Sequence, residues 1–171
     1  MRLKPIAQSP RPGGAYVFAL GLLARRELSE SQIRSRLLRR SYEAEDIDDA
    51  VAKLKAERAI DDGRVAGAMA RTAATVKRRG RLRVRREIER AGITAAVARQ
   101  AVEETFDDLD EDAMLEAALT RRLRPGKSLN ETAEFGRLYR YLVGQGFDPE
   151  RVLHVLTRRR TQDPSFRRGG P

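Results

Sequence analysis

The chain has no cysteine and no tryptophan. Without thiols it can form neither disulfides nor thiolate metal sites. That absence fits a reducing cytoplasm. Its single histidine, His154, cannot supply a His-rich metal site. Counted around a helix, His154 lies away from Val152, Val155 and Leu156, as a solvated residue would. Aromatics make up only 5% of residues, so a core must rest on Leu, Ile, Val and Ala. Long apolar runs are also missing. Residues 15–24 form the longest near the N-terminus, contain Gly21, and are too few to span a bilayer. Residues 1–14 hold three prolines and no apolar stretch of signal-peptide length. The expectation is a soluble, unexported, cytoplasmic protein.

Catalytic constellations are absent too. Gly126-Lys127-Ser128 resembles the end of a phosphate-binding loop, but that motif needs a glycine where Arg121 stands. The pairs Asp61-Asp62 and Asp107-Asp108 fall at junctions, where capping or solvated linkers explain them better than acid–base work. No nucleophile has a plausible base, because the histidine is isolated. The expectation is a non-enzyme with no cofactor and no metal.

What the chain has in abundance is arginine: 30 of its 35 basic residues. Net charge is +10, unevenly placed. Residues 71–90 carry nine Arg or Lys against Glu87 and Glu89, a net +7. The tail from Thr157 carries +4 and the first fourteen residues +3, which leaves the remainder near −4. A focused basic segment on a near-neutral body suggests an anionic partner. Genome-wide arginine bias is the plainer explanation.

Apolar spacing divides the chain into three units. In the first, Tyr16, Ala19, Leu20, Leu23 and Ala24 form one stripe. Ser29 precedes Gln32 at capping-box spacing and opens a helix with Ile33, Leu37 and Leu38 inside. A third helix buries Ile47, Ala50, Val51 and Leu54, with an acidic start and a basic end that suit its dipole. Phe18 and Leu22 lie off the first stripe; packing beneath residues 1–14 is the expected role, with partner contact as the alternative. In the second unit Asp61 and Asp62 cap a helix with Val65, Met69, Ala73 and Val76 inside. Gly80 precedes a helix with Val84 and Ile88 inside, Gly92 ends it in a left-handed conformation, and Thr94 caps a helix with Ala98, Ala101 and Val102. The third unit buries Leu115, Ala118 and Leu119, then Phe135, Leu138, Tyr139 and Leu142, then Val152, Val155 and Leu156. Pro149 fits the first turn of its last helix.

The second-to-third helix junctions read LLRRSYEAEDIDDAV, EIERAGITAAVARQAV and YLVGQGFDPERVLHVL. Tyr42, Ile93 and Phe147 occupy equivalent points, 51 and 54 residues apart. A period near 50 residues with this content indicates tandem repeats. The expected fold is all-α: three tandem three-helix repeats in an elongated, curved array. The expected boundaries are repeats at 15–60, 61–108 and 109–157, between a flexible segment 1–14 and a flexible basic tail 158–171.

Arg79, Arg83, Arg86 and Arg90 are spaced 4, 3 and 4 apart and fall within about 60 degrees of one another, opposite Val84 and Ile88. Arg64, Arg71 and Arg78 repeat the theme opposite Val65 and Met69, as do Arg36, Arg39 and Arg40 in the first unit. Guanidinium forks pair with phosphates or carboxylates. Glu87 and Glu89 do not interleave the four-arginine stripe, so it is expected to lack an acidic partner within its helix. Almost pure arginine, without polar or aromatic neighbours, argues against base reading or base stacking. Backbone phosphate or protein contact is left.

These residues resemble the RecX family of recombinase regulators. The likeness is carried by Ala15-Tyr16 with Leu20, Leu22 and Leu23, then Arg25-Arg26-Glu27-Leu28-Ser29, Ile33, Leu37-Leu38, Ile47, Val51, Leu54, and Ile60-Asp61-Asp62 with Ala66. It continues through Gly80, Arg81, Val84, Ile88, Gly92-Ile93 and Gly146-Phe147 to Val152 and Leu156. Two departures concern turn geometry and packing: Ser41 replaces a usual glycine, and Val65 a frequent aromatic. The resemblance implies three tandem three-helix repeats. It implies binding to RecA recombinase and its filament on single-stranded DNA, with inhibition of filament growth, ATPase and strand exchange in recombination and repair. The implied chain acts as a monomer, touches DNA weakly, and avoids membranes. The alternative is a basic helical DNA-binding protein with a transcriptional or architectural role.

Overall fold

The computed structural model describes residues 14–124 and 128–162. The expected N-terminal segment up to residue 13, residues 125–127 of the loop with Gly126-Lys127, and the tail from 163 lie outside the described residues. Among the described residues every regular element is helical. The helices are α1 (Gly14–Leu23), α2 (Glu30–Leu38), α3 (Ala44–Ala56), α4 (Asp62–Arg71), α5 (Arg81–Arg90), α6 (Ala95–Phe106), α7 (Glu111–Arg122), α8 (Thr132–Gly144) and α9 (Pro149–Gln162). A π-helical turn, Thr72–Val76, prolongs α4.

Side chains start most of these helices. Ser29 Oγ accepts from Gln32 N at 3.2 Å. Asp61 caps α4 through Arg64 N, Thr94 caps α6 through Val97 N, and Asp110 caps α7 through Ala113 N. Each acceptor satisfies a first-turn N–H that has no partner inside its helix. Asp148 does the same for Glu150 and Arg151, with Pro149 as the first residue of α9.

Three separate cores follow. The first unit closes around Ile33, Leu37, Ile47, Val51 and Leu54. The second closes around Val65, Ala70, Val84, Ile88, Val102 and Phe106. The third closes around Leu115, Leu119, Leu138, Leu142, Val152 and Leu156. Strong helix packing runs within each trio, α1–α3, α4–α6 and α7–α9. Met114 touches both the second and third cores.

Four expectations need correction. On α1, Ala15 and Ala19 point inward while Leu20 faces solvent, as does Ala24 just beyond the helix. Every residue of α1 is apolar, so no polar face fixes its rotation and neighbouring helices decide it. Phe18 and Leu22 are partly buried against the first core, with the Phe18 ring 6.1 Å from that of Tyr42, while their expected packing beneath the N-terminal segment falls on residues outside the described range. Leu38 ends α2 exposed rather than buried, and Val76 is 75% exposed. Val76 is displaced by the π turn, where Lys77 N reaches Thr72 O five residues back and rotates the α-spaced stripe outward. The tail expected to be flexible from 158 is still helical through Gln162, where Arg158 and Arg159 both bond Glu116.

The units join by one recurring contact. The α5–α6 turn of the second unit lies on the start of α2 in the first. Ser29 Oγ donates to Ala91 O at 2.5 Å, and Glu30 N donates to Asp62 Oδ1 at 2.9 Å. The α8–α9 turn of the third unit lies on the start of α5 in the second. There Gly80 N donates to Gln145 O at 2.9 Å and Leu82 N to Gly146 O at 3.0 Å. Each turn thus sits where its neighbour's second helix begins. Gly92 (φ +80°) and Gly146 (φ +92°) are left-handed, and a Cβ on either would come within 2.3 Å of the adjoining unit. Glycine is needed there for both backbone sign and space.

Candidate docking surface

The expected arginines separate into held and open groups. Arg64 forks onto Glu27 of the first unit at 2.9 and 3.1 Å and also donates to the carbonyls of Arg58 and Ala59. It belongs to the first junction between units. Arg79 lies before α5, not on it, because Gly80 is the N-cap. Its guanidinium pairs with Glu87. Arg83 bonds the same carboxylate at 3.1 Å and donates to Gly144 O of the third unit at 3.0 Å. The absence of an acidic partner along this stripe is therefore corrected: Arg83 and Glu87 are an i,i+4 pair. Partial burial pushes the Glu87 carboxyl up, but the two guanidiniums outweigh it and hold it below the usual carboxylate range.

Arg86 and Arg90, at the outer end of the stripe, are exposed. So are Arg71 and Arg78; Arg78 takes φ +51° just beyond the π turn. In the first unit Arg36 donates to Gln32 O at 2.8 Å, Arg39 to Ser35 O at 3.2 Å, and Arg40 lies 5.0 Å over the Phe18 ring. Among the described residues none of these three meets a carboxylate. Partial burial together with Arg26 and Arg39 drives the Arg36 guanidinium below its usual range. Arg26, Arg36 and Arg39 thus lie close enough to repel one another.

Two residues escaped the sequence reading: Arg26 and Lys77, both exposed and without side-chain partners among the described residues. The repeat would have found them. They lie three positions before the N-caps Ser29 and Gly80, 51 residues apart. A hollow of about 530 Å³ between the first unit and Gly92–Thr94 is lined by Glu30, Asp48 and Asp62 against the single cation Arg34, so it does not suit an anion. Arg34 there bridges Glu30 at 2.9 Å and Asp48 at 2.5 Å. His154 is exposed. No cluster of metal-ligating side chains occurs among the described residues, and none of their helices is long and apolar enough to cross a membrane.

Tandem three-helix units, joined turn to helix start and carrying open arginines, define a class of helical repeat protein. The family model for the first three-helix domain of RecX matches residues 15–54. A Regulatory protein RecX from Chromohalobacter salexigens is 34% identical over 138 residues, covering 81% of this chain and 88% of the relative. Another, from Acidithiobacillus ferrooxidans, is 33% identical over 85% of this chain and 90% of its own length. The chain belongs to the RecX family. A crystal structure of regulatory protein RecX has the same fold, with a TM-score of 0.74 at 21% identity over 85% of this chain and 72% of that one. The RecX structure from Lactobacillus salivarius gives 0.69 at 16% identity over 86% and 95%.

Proposed function

We propose that this chain binds RecA recombinase and its filament on single-stranded DNA and restrains filament growth, ATP turnover and strand exchange. The carrying observation is similarity to regulatory RecX proteins along most of the chain, not one unit alone. The open arginines add a means of attachment. Arg36, Arg39, Arg40, Arg71, Arg78, Arg86 and Arg90 present cationic forks to an acidic protein face or to filament phosphates. Arg64 and Arg83 act instead by holding the units in line, and Arg79 by pairing with Glu87 within the second unit. Catalysis belongs to the recombinase, and the docked chain works by steric blockage.

The test is RecA ATPase on single-stranded DNA with increasing amounts of this chain. Turnover should fall, and binding to filament should exceed binding to bare DNA at each salt concentration. Equal affinity for bare DNA and filament, with a steep salt slope and no effect on ATPase, would favour the architectural DNA-binding alternative.

A further inference from the structure

Between the first and second units runs a second groove, of about 360 Å³. Its floor is apolar, built from Val65, Ala68, Met69, Ala73 and Ile88. Met69 is only half-buried, and its flexible thioether can adapt to an inserted group. The π turn supplies one wall through Thr72 and Ala73, and such turns often mark functional sites. The rim is cationic: Arg26 from one side and Lys77 from the other. Arg36 grips the backbone of Gln32, another lining residue, and adds its charge nearby. The two rim carboxylates are already neutralised, Glu27 by Arg64 and Glu87 by Arg79 and Arg83.

We infer that this groove receives an acidic, amphipathic segment of a partner protein, its apolar side chains on the floor and its carboxylates against Arg26, Arg36 and Lys77. A nucleic-acid backbone would meet the rim but leave the apolar floor unmatched. The inference deepens the docking proposal and rests on it for the partner being a protein.

The probe is a labelled synthetic peptide with Leu at helical i, i+3, i+4 and i+7 spacing and Glu elsewhere, titrated against the full chain by fluorescence anisotropy. Replacing Arg26→Glu and Lys77→Glu together should weaken binding by roughly tenfold or more, since rim charges lose attraction and gain repulsion. Both residues are exposed, and circular dichroism checks that the fold is kept. Arg121→Glu with Arg140→Glu, exposed in the third unit, should leave binding unchanged. Changing the peptide's Leu residues to Ser should also lose binding. Equal binding of the Ser peptide, or wild-type affinity in the rim variant, overturns the inference. A thymidine oligonucleotide that loses more affinity than the peptide in that variant overturns it in favour of nucleic acid. The assay contains no recombinase, so the ATPase measurement judges the docking proposal separately.

Discussion

The turns at Ser41 and Gly92 hold the same place in successive units, yet one is open and the other is pressed against a neighbour. Both are left-handed, with φ of +60° and +80°. At Gly92 a Cβ would lie 2.2 Å from Ser31 Oγ of the preceding unit. At Ser41 no other unit lies against the turn among the described residues, and the residue is exposed. Gly146 repeats the crowded case, with a Cβ 2.3 Å from the Arg83 backbone nitrogen. The left-handed turn is thus a property of each unit, while the demand for space arises only where units meet. The family's usual glycine is dispensable at the one turn that docks on no other unit among the described residues.

The sharpest way to break this comparison is to place serine in the crowded turns. Gly146→Ser should have the largest effect, about 3 kcal/mol of lost stability, because φ penalty and backbone clash add. Gly92→Ser should cost about 2 kcal/mol, since its first obstacle is a small side chain on a helix surface rather than backbone. Urea unfolding followed by circular dichroism measures both. Equal and small losses at the two positions would mean that the units slide apart freely, and the glycines would not specify their contact.

The two junctions also differ in chemistry. The second pairs backbone with backbone, through Gly80 N and Leu82 N, while the first pairs side chain with backbone, through the Ser29 hydroxyl and the Asp62 carboxylate. Ser29 is fully buried and both caps α2 and donates to Ala91 O. Ser29→Ala should therefore cost about 2 kcal/mol, combining a lost cap with an unpaired buried carbonyl. Faster amide exchange should be confined to the first junction, around Gln32 and Gly92. Loosening of Gly80 and Leu82 to the same degree would show that the junctions are not independent.

Much of this architecture was legible from residue pattern, and the misreadings have physical causes. Helix starts were marked by Ser29, Asp61 and Thr94, because short polar side chains cap wherever the chain enters a helix. Gly92 and Gly146 announced their turns. Helix rotation was legible only where polar and apolar faces contrast. It failed on α1, which has no polar face, and beyond Thr72, where a π turn breaks the period on which the counting depends. The candidate surface was harder. Spacing shows which arginines share a helix face, but their pairing depends on carboxylates brought from other elements. Arg64 meets Glu27 across 37 residues, and no pattern local to α4 contains that contact. Even within α5, Arg83 and Glu87 join because the guanidinium reaches one turn along the helix, past the boundary that a stripe drawn on a wheel suggests.

The reverse substitution, Ser41→Gly, carries the smallest expected effect and the clearest sign. Serine at φ +60° bears a steric penalty that glycine does not, while glycine loses more backbone entropy on folding. With no neighbouring unit among the described residues to strike, the first effect exceeds the second, and stability should rise by about 0.5–1 kcal/mol. The same exchange of residues would then have opposite signs at two equivalent turns. A loss of stability in Ser41→Gly, measured in the same urea series, would mean that the Ser41 side chain makes a stabilising contact of its own. Unit contact would then no longer explain why glycine stands at two turns and serine at the third.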